Sequence, residues 1–149
     1  VTPTNEDTLS DLFRDAIVGV SPRIAFKGGE RWKPYERPVE GASRTRRFRL
    51  IWESGGIQPR GAMAGQAIEH QAVLRVRTDY VGTADGNQHA MIDDFHQLRD
   101  TLSNLKATNN GVVMVTGLRV QEVRGGTDSD DVVVVDHTYQ VRYMRNAQL

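Results

Sequence analysis

Apolar positions recur along the chain with two different periods, and the changes of period divide it into elements. Leu9, Leu12, Phe13, Ala16, Ile17 and Val20 follow helical spacing, with Asp11, Arg14 and Asp15 on the opposite side. This predicts an amphipathic helix over 5–20, opened by Thr4 and Asp7 as a capping pair. Ser21-Pro22 closes it, because proline lacks a backbone donor and disfavours helical geometry in the residue before it. From Arg44 to Ser54 the period is two: Phe48, Leu50 and Trp52 share one face, and Arg47, Arg49, Ile51 and Glu53 the other. A second such strand is expected from Gln71 to Val81, where Ala72, Leu74, Val76 and Tyr80 alternate with Arg75, Arg77 and Asp79.

Helical spacing then returns. Met91, Ile92, Phe95, Leu98, Leu102 and Leu105 form a stripe on a helix over about 88–106, started by the turn residues Asp85-Gly86-Asn87 and ended by Asn109-Asn110-Gly111, which tolerate left-handed backbone. Two β-branched runs, 112–123 and 132–145, flank Arg124-Gly125-Gly126-Thr127-Asp128-Ser129-Asp130-Asp131, a hairpin signal. On the last run Val133, Val135, His137, Tyr139, Val141 and Tyr143 line one face, with Asp136, Thr138, Gln140 and Arg142 opposite. The order α-β-β-α-β-β predicts an α+β fold: a mostly antiparallel four- to five-stranded sheet with two helices on one face, in a single domain over 1–149. The segments 21–43 and 54–70, rich in Pro and Gly, read as long loops available for contacts with other molecules.

Composition narrows the function. A chain of 149 residues buries roughly 68–70% of its unfolded surface and folds without staples. Lys+Arg and Asp+Glu each number 19, so no chain-wide field draws in nucleic acid or an anionic membrane. With no Cys there are no disulfides, thiolate metal sites or Cys nucleophiles. No apolar run is long enough to span a bilayer, and the first 20 residues lack the basic start and apolar stretch of a secretory signal, which predicts a soluble, unexported protein.

Catalytic and nucleotide-binding motifs are missing. No Gly-x-Ser-x-Gly elbow, Gly-x-Gly-x-x-Gly turn or phosphate-cradling Gly-Lys-Ser/Thr loop occurs, so the reading includes no catalytic residue and no cofactor. His89, Asp93, His96 and Asp100 fall within about 60° of one another on a helical projection. A metal site needs three or four converging ligands with support behind them, so this row reads as a solvated face and no metal is expected. His137 lies among Val and Tyr and reads as a partly buried neutral histidine, with Asp136 pointing the other way.

The strongest cluster is basic. Arg44, Arg46, Arg47 and Arg49 lie together in sequence, and pairing of the first two strands brings Arg75 and Arg77 beside them. Such arginines meet carboxylates of a neighbouring subunit, phosphate, or solvent. The charge split favours a subunit: residues 1–75 carry 12 basic and 9 acidic side chains, residues 76–149 carry 7 and 10, an asymmetry that a head-to-tail ring can use.

The arrangement resembles the tail terminator proteins of long-tailed bacteriophages, also called tail completion or minor tail proteins. The likeness rests on the leading helix, the strand "RRFRLIWES", a long loop, the strand "AVLRVRTDYVG", the helix "HAMIDDFHQLRDTLSNL" and the closing "DHTYQVRYMRN". It implies a structural virion subunit at the head-proximal end of the tail, assembled in the host cytoplasm. Such a subunit forms a homo-hexameric ring on the tail tube protein, ends tube polymerisation and offers a surface to the head connector or stopper. The resemblance implies no chemistry, no membrane, and genome DNA only in passing through the lumen. Arg47, Arg49, Arg75 and Arg77 are then candidates for a ring flank or lumen face, and Asp128, Asp130 and Asp131 for a lumen-facing acidic tip. The alternatives are another head–tail joining or head-completion protein and, ranked lower, a small metal-dependent hydrolase around His89, Asp93 and His96.

Overall fold

The computed structural model describes residues 3–23, 31–34, 45–53, 58–64, 67–81, 87–108, 110–123 and 132–146. Along the chain these form α1 (Glu6–Val18), β1 (Arg31–Pro34), β2 (Thr45–Trp52), β3 (Gln58–Ala64), β4 (Ala67–Val81) and α2 (Gln88–Asn104). A 3₁₀ turn (Leu105–Thr108), β5 (Val112–Glu122) and β6 (Val132–Asn146) complete them. The predicted α+β class holds, and the four long strands β2, β4, β5 and β6 with the two helices follow the expected succession. Two short strands arise inside segments read as loops. β1 lies within 21–43, β3 lies within 54–70, and β4 starts at Ala67 rather than Gln71.

The sheet runs β1-β2-β4-β6-β5 and is built on the long antiparallel pair β4–β6, whose register extends from Ala67 opposite Asn146 to Val81 opposite Val132. The other edge of β4 is shared: β3 pairs with its first part, between Gln71 and Ala67, and β2 with its later part, from Leu74 to Thr78. Among the described strands only β1, beside β2, pairs in parallel. β5 is bulged twice against β6, between Val112 and Met114 and between Gly117 and Arg119, which twists this edge strand locally.

Both helices cover the same face. Leu9, Phe13 and Ile17 of α1 and Leu98 and Leu102 of α2 are buried with Phe48, Ala72, Leu74, Val76, Val115, Tyr139, Val141 and Tyr143 from the strands. The cap of α1 is Asn5, not Thr4: its Oδ1 accepts from the Thr8 amide at 2.8 Å, while the Thr4 amide donates to the Met144 carbonyl at 2.7 Å and ties the chain start to β6. The Trp52 indole donates to Ser10 Oγ at 2.7 Å, linking α1 to β2. α2 lies so close to β5 that a Cβ at Gly117 would come within 2.6 Å of the Phe95 ring. The 3₁₀ turn ends the helix, and Gly111, at φ 89°, supplies the left-handed residue from which β5 departs.

The buried stripe of α2 is rotated from the expected one. Ala90, Met91, Asp94, Leu98 and Leu102 face inward, and Ile92 is exposed. At 100° per residue, Asp94 falls between Ala90 and Leu98 on the helix surface, whereas Ile92 lies 100° from Met91 on the other side. A carboxylate therefore enters the interior, where it requires a partner.

Candidate functional site

Pleating sends alternate residues of each strand to opposite sides of the sheet, so the face away from the helices is specified by parity. β2 contributes Arg47, Arg49 and Ile51, and β4 contributes Glu69, Gln71, Val73, Arg75, Arg77 and Asp79. β6 contributes Val134, Asp136, Thr138, Gln140 and Arg142, and β5 adds Met114, Thr116, Arg119 and Gln121. No described helix or strand covers this face.

The four predicted arginines come together here. Arg49 stands directly opposite Arg77, and Ile51 opposite Arg75. Two guanidiniums facing one another across a strand pair repel, and the next strand supplies the counter-charge. Arg77 donates through Nε and Nη2 to the two oxygens of Asp136, at 2.9 and 3.1 Å, while Arg75 reaches Asp136 at 3.6 Å and Glu53 at 3.5 Å. A second fork joins Arg142 to Glu69 at 2.9–3.0 Å. On β2, β4, β5 and β6, with Glu53 just after β2, this face presents six arginines (47, 49, 75, 77, 119 and 142) against four carboxylates (Glu53, Glu69, Asp79 and Asp136), an excess of two positive charges. Each guanidinium carries five donors in a planar fork, so one engaged by a carboxylate retains further donors for a second acceptor. The arrangement offers guanidinium donors suited to anions.

The opposite face holds a polar cluster that the reading by residue type misses. Arg46, grouped in sequence with its basic neighbours, points inward with Phe48 and Leu50. It pairs with Asp94 of α2 at 3.0 Å, with 3% and 0% of the two side chains exposed. Its guanidinium lies 5.8 Å from the Trp32 ring centroid and 5.5 Å from that of Tyr80, within cation–π range. The Tyr80 hydroxyl donates to Asp94 Oδ2 at 2.7 Å and meets His137 Nε2 at 2.7 Å. Because its single proton goes to Asp94, neutral His137 carries its own proton on Nε2 and donates to the phenol oxygen. Burial, then the charge of Arg46, lowers the His137 pKa from 6.5 to about 3. Burial, then Asp94, holds the Tyr80 phenol well above its ordinary value. His137 is thus fully buried rather than partly, and Asp136 does point to the other side. The signal for this cluster was parity: Arg46, Tyr80 and His137 share strand faces with apolar residues, and Asp94 lies on the apolar stripe of its helix.

His89, Asp93, His96 and Asp100 lie on the outer side of α2, where Asp93 faces Arg23 at 3.6 Å. Among the described residues no group of three or more His, Asp or Glu side chains converges as a metal site would require. Asp128, Asp130, Asp131 and Arg44 lie outside the described residues. No described helix is long and apolar enough to cross a membrane. No protein-family model matches the chain, and no curated protein sequence matches it.

Proposed function

We propose that this chain is a structural subunit of a bacteriophage neck, a tail terminator that closes into a homo-hexameric ring on the tail tube, ends its polymerisation and joins it to the head connector. The observation that carries this reading is the inequality of the two sheet faces. One is sealed by both helices around an apolar core, and the other is left by the described elements as a lattice of arginines with a positive excess. Such a body has its stability on one side and its binding surface on the other, which suits a building block. The succession of elements and the motifs quoted above supply the identity of the assembly.

Native mass spectrometry of the purified chain, alone and with isolated tail tubes, tests the reading. The expected result is a six-copy species, formed spontaneously or at tube ends, with gold-labelled protein at the head-proximal end of the tail in negative-stain images. A chain that stays monomeric and ignores tube ends refutes it. Label at another level of the neck would reassign it to a different joining protein.

A further inference from the structure

The two layers of the subunit differ in charge as well as in cover. On α1, Glu6, Asp7, Asp11 and Asp15 stand against Arg14, and Glu6 pairs with Arg145 of β6 at 3.3 Å, which leaves an excess of two negative charges. Asp7, Asp11 and Asp15 are all exposed on the outer side of the helix, Asp11 with 79% of its side chain in solvent even while it pairs with Arg14. The sequence halves conceal this, because acidic α1 belongs to the basic half. The fold separates charge by layer instead, with an acidic helix on one side and the arginine lattice on the other.

The spacings also correspond. Asp7, Asp11 and Asp15 recur every four residues, about 6 Å along the helix axis. Arg47 and Arg49 on β2, and Arg75 and Arg77 on β4, recur every two residues, about 6.7 Å along a strand, in rows about 4.8 Å apart. A helix laid along these strands places successive carboxylates near successive guanidiniums, and arginine binds carboxylate by paired parallel hydrogen bonds. We propose that the arginine face of β2 and β4 receives helix α1 of a second copy of this chain, Asp7, Asp11 and Asp15 docking on Arg47, Arg49, Arg75 and Arg77. This rests on the ring-forming reading and names its interface. Because donor and receiver lie on opposite sides of the subunit, the contact is head-to-tail, the kind that generates rings when its rotation closes. Duplex DNA is the competing anion for the same guanidiniums; the helix is favoured because its carboxylates belong to the chain and are already spaced for the face.

The test uses two charge-reversed full-length chains, Asp11→Arg with Asp15→Arg, and Arg47→Glu with Arg49→Glu. Each alone carries like charges on both surfaces, so its self-association should weaken at least about tenfold, since like-charge juxtaposition at an interface costs several kcal/mol. Mixed one to one, the basic helix of the first meets the acidic sheet of the second, and the acidic helix of the second meets the basic sheet of the first. Both contacts are restored, and native mass spectrometry should show an alternating assembly, which also proves that both variants are folded. Single variants Asp11→Ala and Arg49→Ala should weaken association in the same direction, more at low salt than at high. Reversed chains that assemble like the unmodified protein, or a mixture that stays dissociated, overturn the interface while leaving the ring intact through other surfaces. An unmodified chain that never assembles, even on tail tubes, removes the ring reading itself. Loss of binding to a 20-base-pair duplex by the Arg47→Glu, Arg49→Glu chain with unchanged self-association would assign the face to DNA and overturn the proposal.

Discussion

Two arginine–carboxylate pairs sit on opposite faces of the same sheet: Arg46–Asp94 under the helices and Arg77–Asp136 on the open side. Their geometry is alike, at 3.0 and 2.9 Å between nearest atoms, but their surroundings are not. The first is sealed to within 3% of exposure and flanked by Trp32, Tyr80 and His137; the second leaves Arg77 23% exposed beside Arg75 and Arg49, although its partner Asp136 keeps only 8%. Burial decides what such a pair does. In the interior each charge depends on the other, because neither can recover water, so the pair fixes α2 to β2 in one position. On the open face water and neighbouring charges share the load, and the guanidinium remains able to engage a further anion.

The sharpest way to break this contrast is to remove one partner from the buried pair. Asp94→Ala leaves the Arg46 guanidinium inside the core without its counter-charge and the Tyr80 hydroxyl without its acceptor, and should lower stability by about 3–5 kcal/mol. Denaturant unfolding followed by circular dichroism measures this from the midpoint shift at constant slope. A loss below about 1 kcal/mol, the scale of an exposed pair, would mean that water reaches Asp94 and that the two faces do not differ as described.

The fold was legible where periodicity was long. The strands β2 and β4 announce themselves by alternation, β5 and β6 by β-branched runs around a turn signal, and α2 by its stripe. β1 and β3 were not legible: Arg31–Pro34 spans four residues, and β3 contains Pro59 and Gly61, residues that weaken strand propensity and are tolerated because a strand at the periphery need not donate on both sides. The open arginine face followed directly from parity, which placed Arg47, Arg49, Arg75 and Arg77 together. For the buried cluster parity marks Arg46, Tyr80 and His137 singly but does not join them, because its members come from β2, β4, α2 and β6 and only the tertiary fold brings them together. Ile92 looked apolar enough to belong inside and Asp94 charged enough to belong outside; the position of α2 over Arg46 and Tyr80 reverses both.

Acid should sharpen the comparison next. In the unfolded chain His137 takes up a proton as the pH falls below about 6.5, while in the folded chain burial and Arg46 keep it neutral down to about 3. The unfolded state then binds more protons throughout that window. The contribution of the neutral buried imidazole is complete above pH 6.5 and is lost on acidification by about 1.4 kcal/mol per pH unit. His137→Gln has no such group, so its stability should fall less steeply between pH 6.5 and 4 than that of the unmodified chain. Equal slopes for the two would show that His137 is protonated, or reached by water, in the folded protein.

The smallest expected effects are on the open face. Arg77→Ala removes a two-point fork from Asp136, a carboxylate only 8% exposed, yet Arg75 stays 3.6 Å from it and the shortened side chain admits water, so the stability loss should be about 1 kcal/mol. Arg49→Ala, at an exposed position across from Arg77, removes a like-charged neighbour from Arg77 and, as a surface substitution, should change stability by no more than about 0.5 kcal/mol in either direction. The same denaturation series as for Asp94→Ala measures both. If Arg77→Ala instead cost as much as Asp94→Ala, the arginine lattice would be a second core that holds the sheet together, with its charges committed inside the subunit. A loss on the scale of an exposed pair leaves those charges for what lies outside it, because a surface that contributes little to its own fold can be reversed in sign without unfolding the chain.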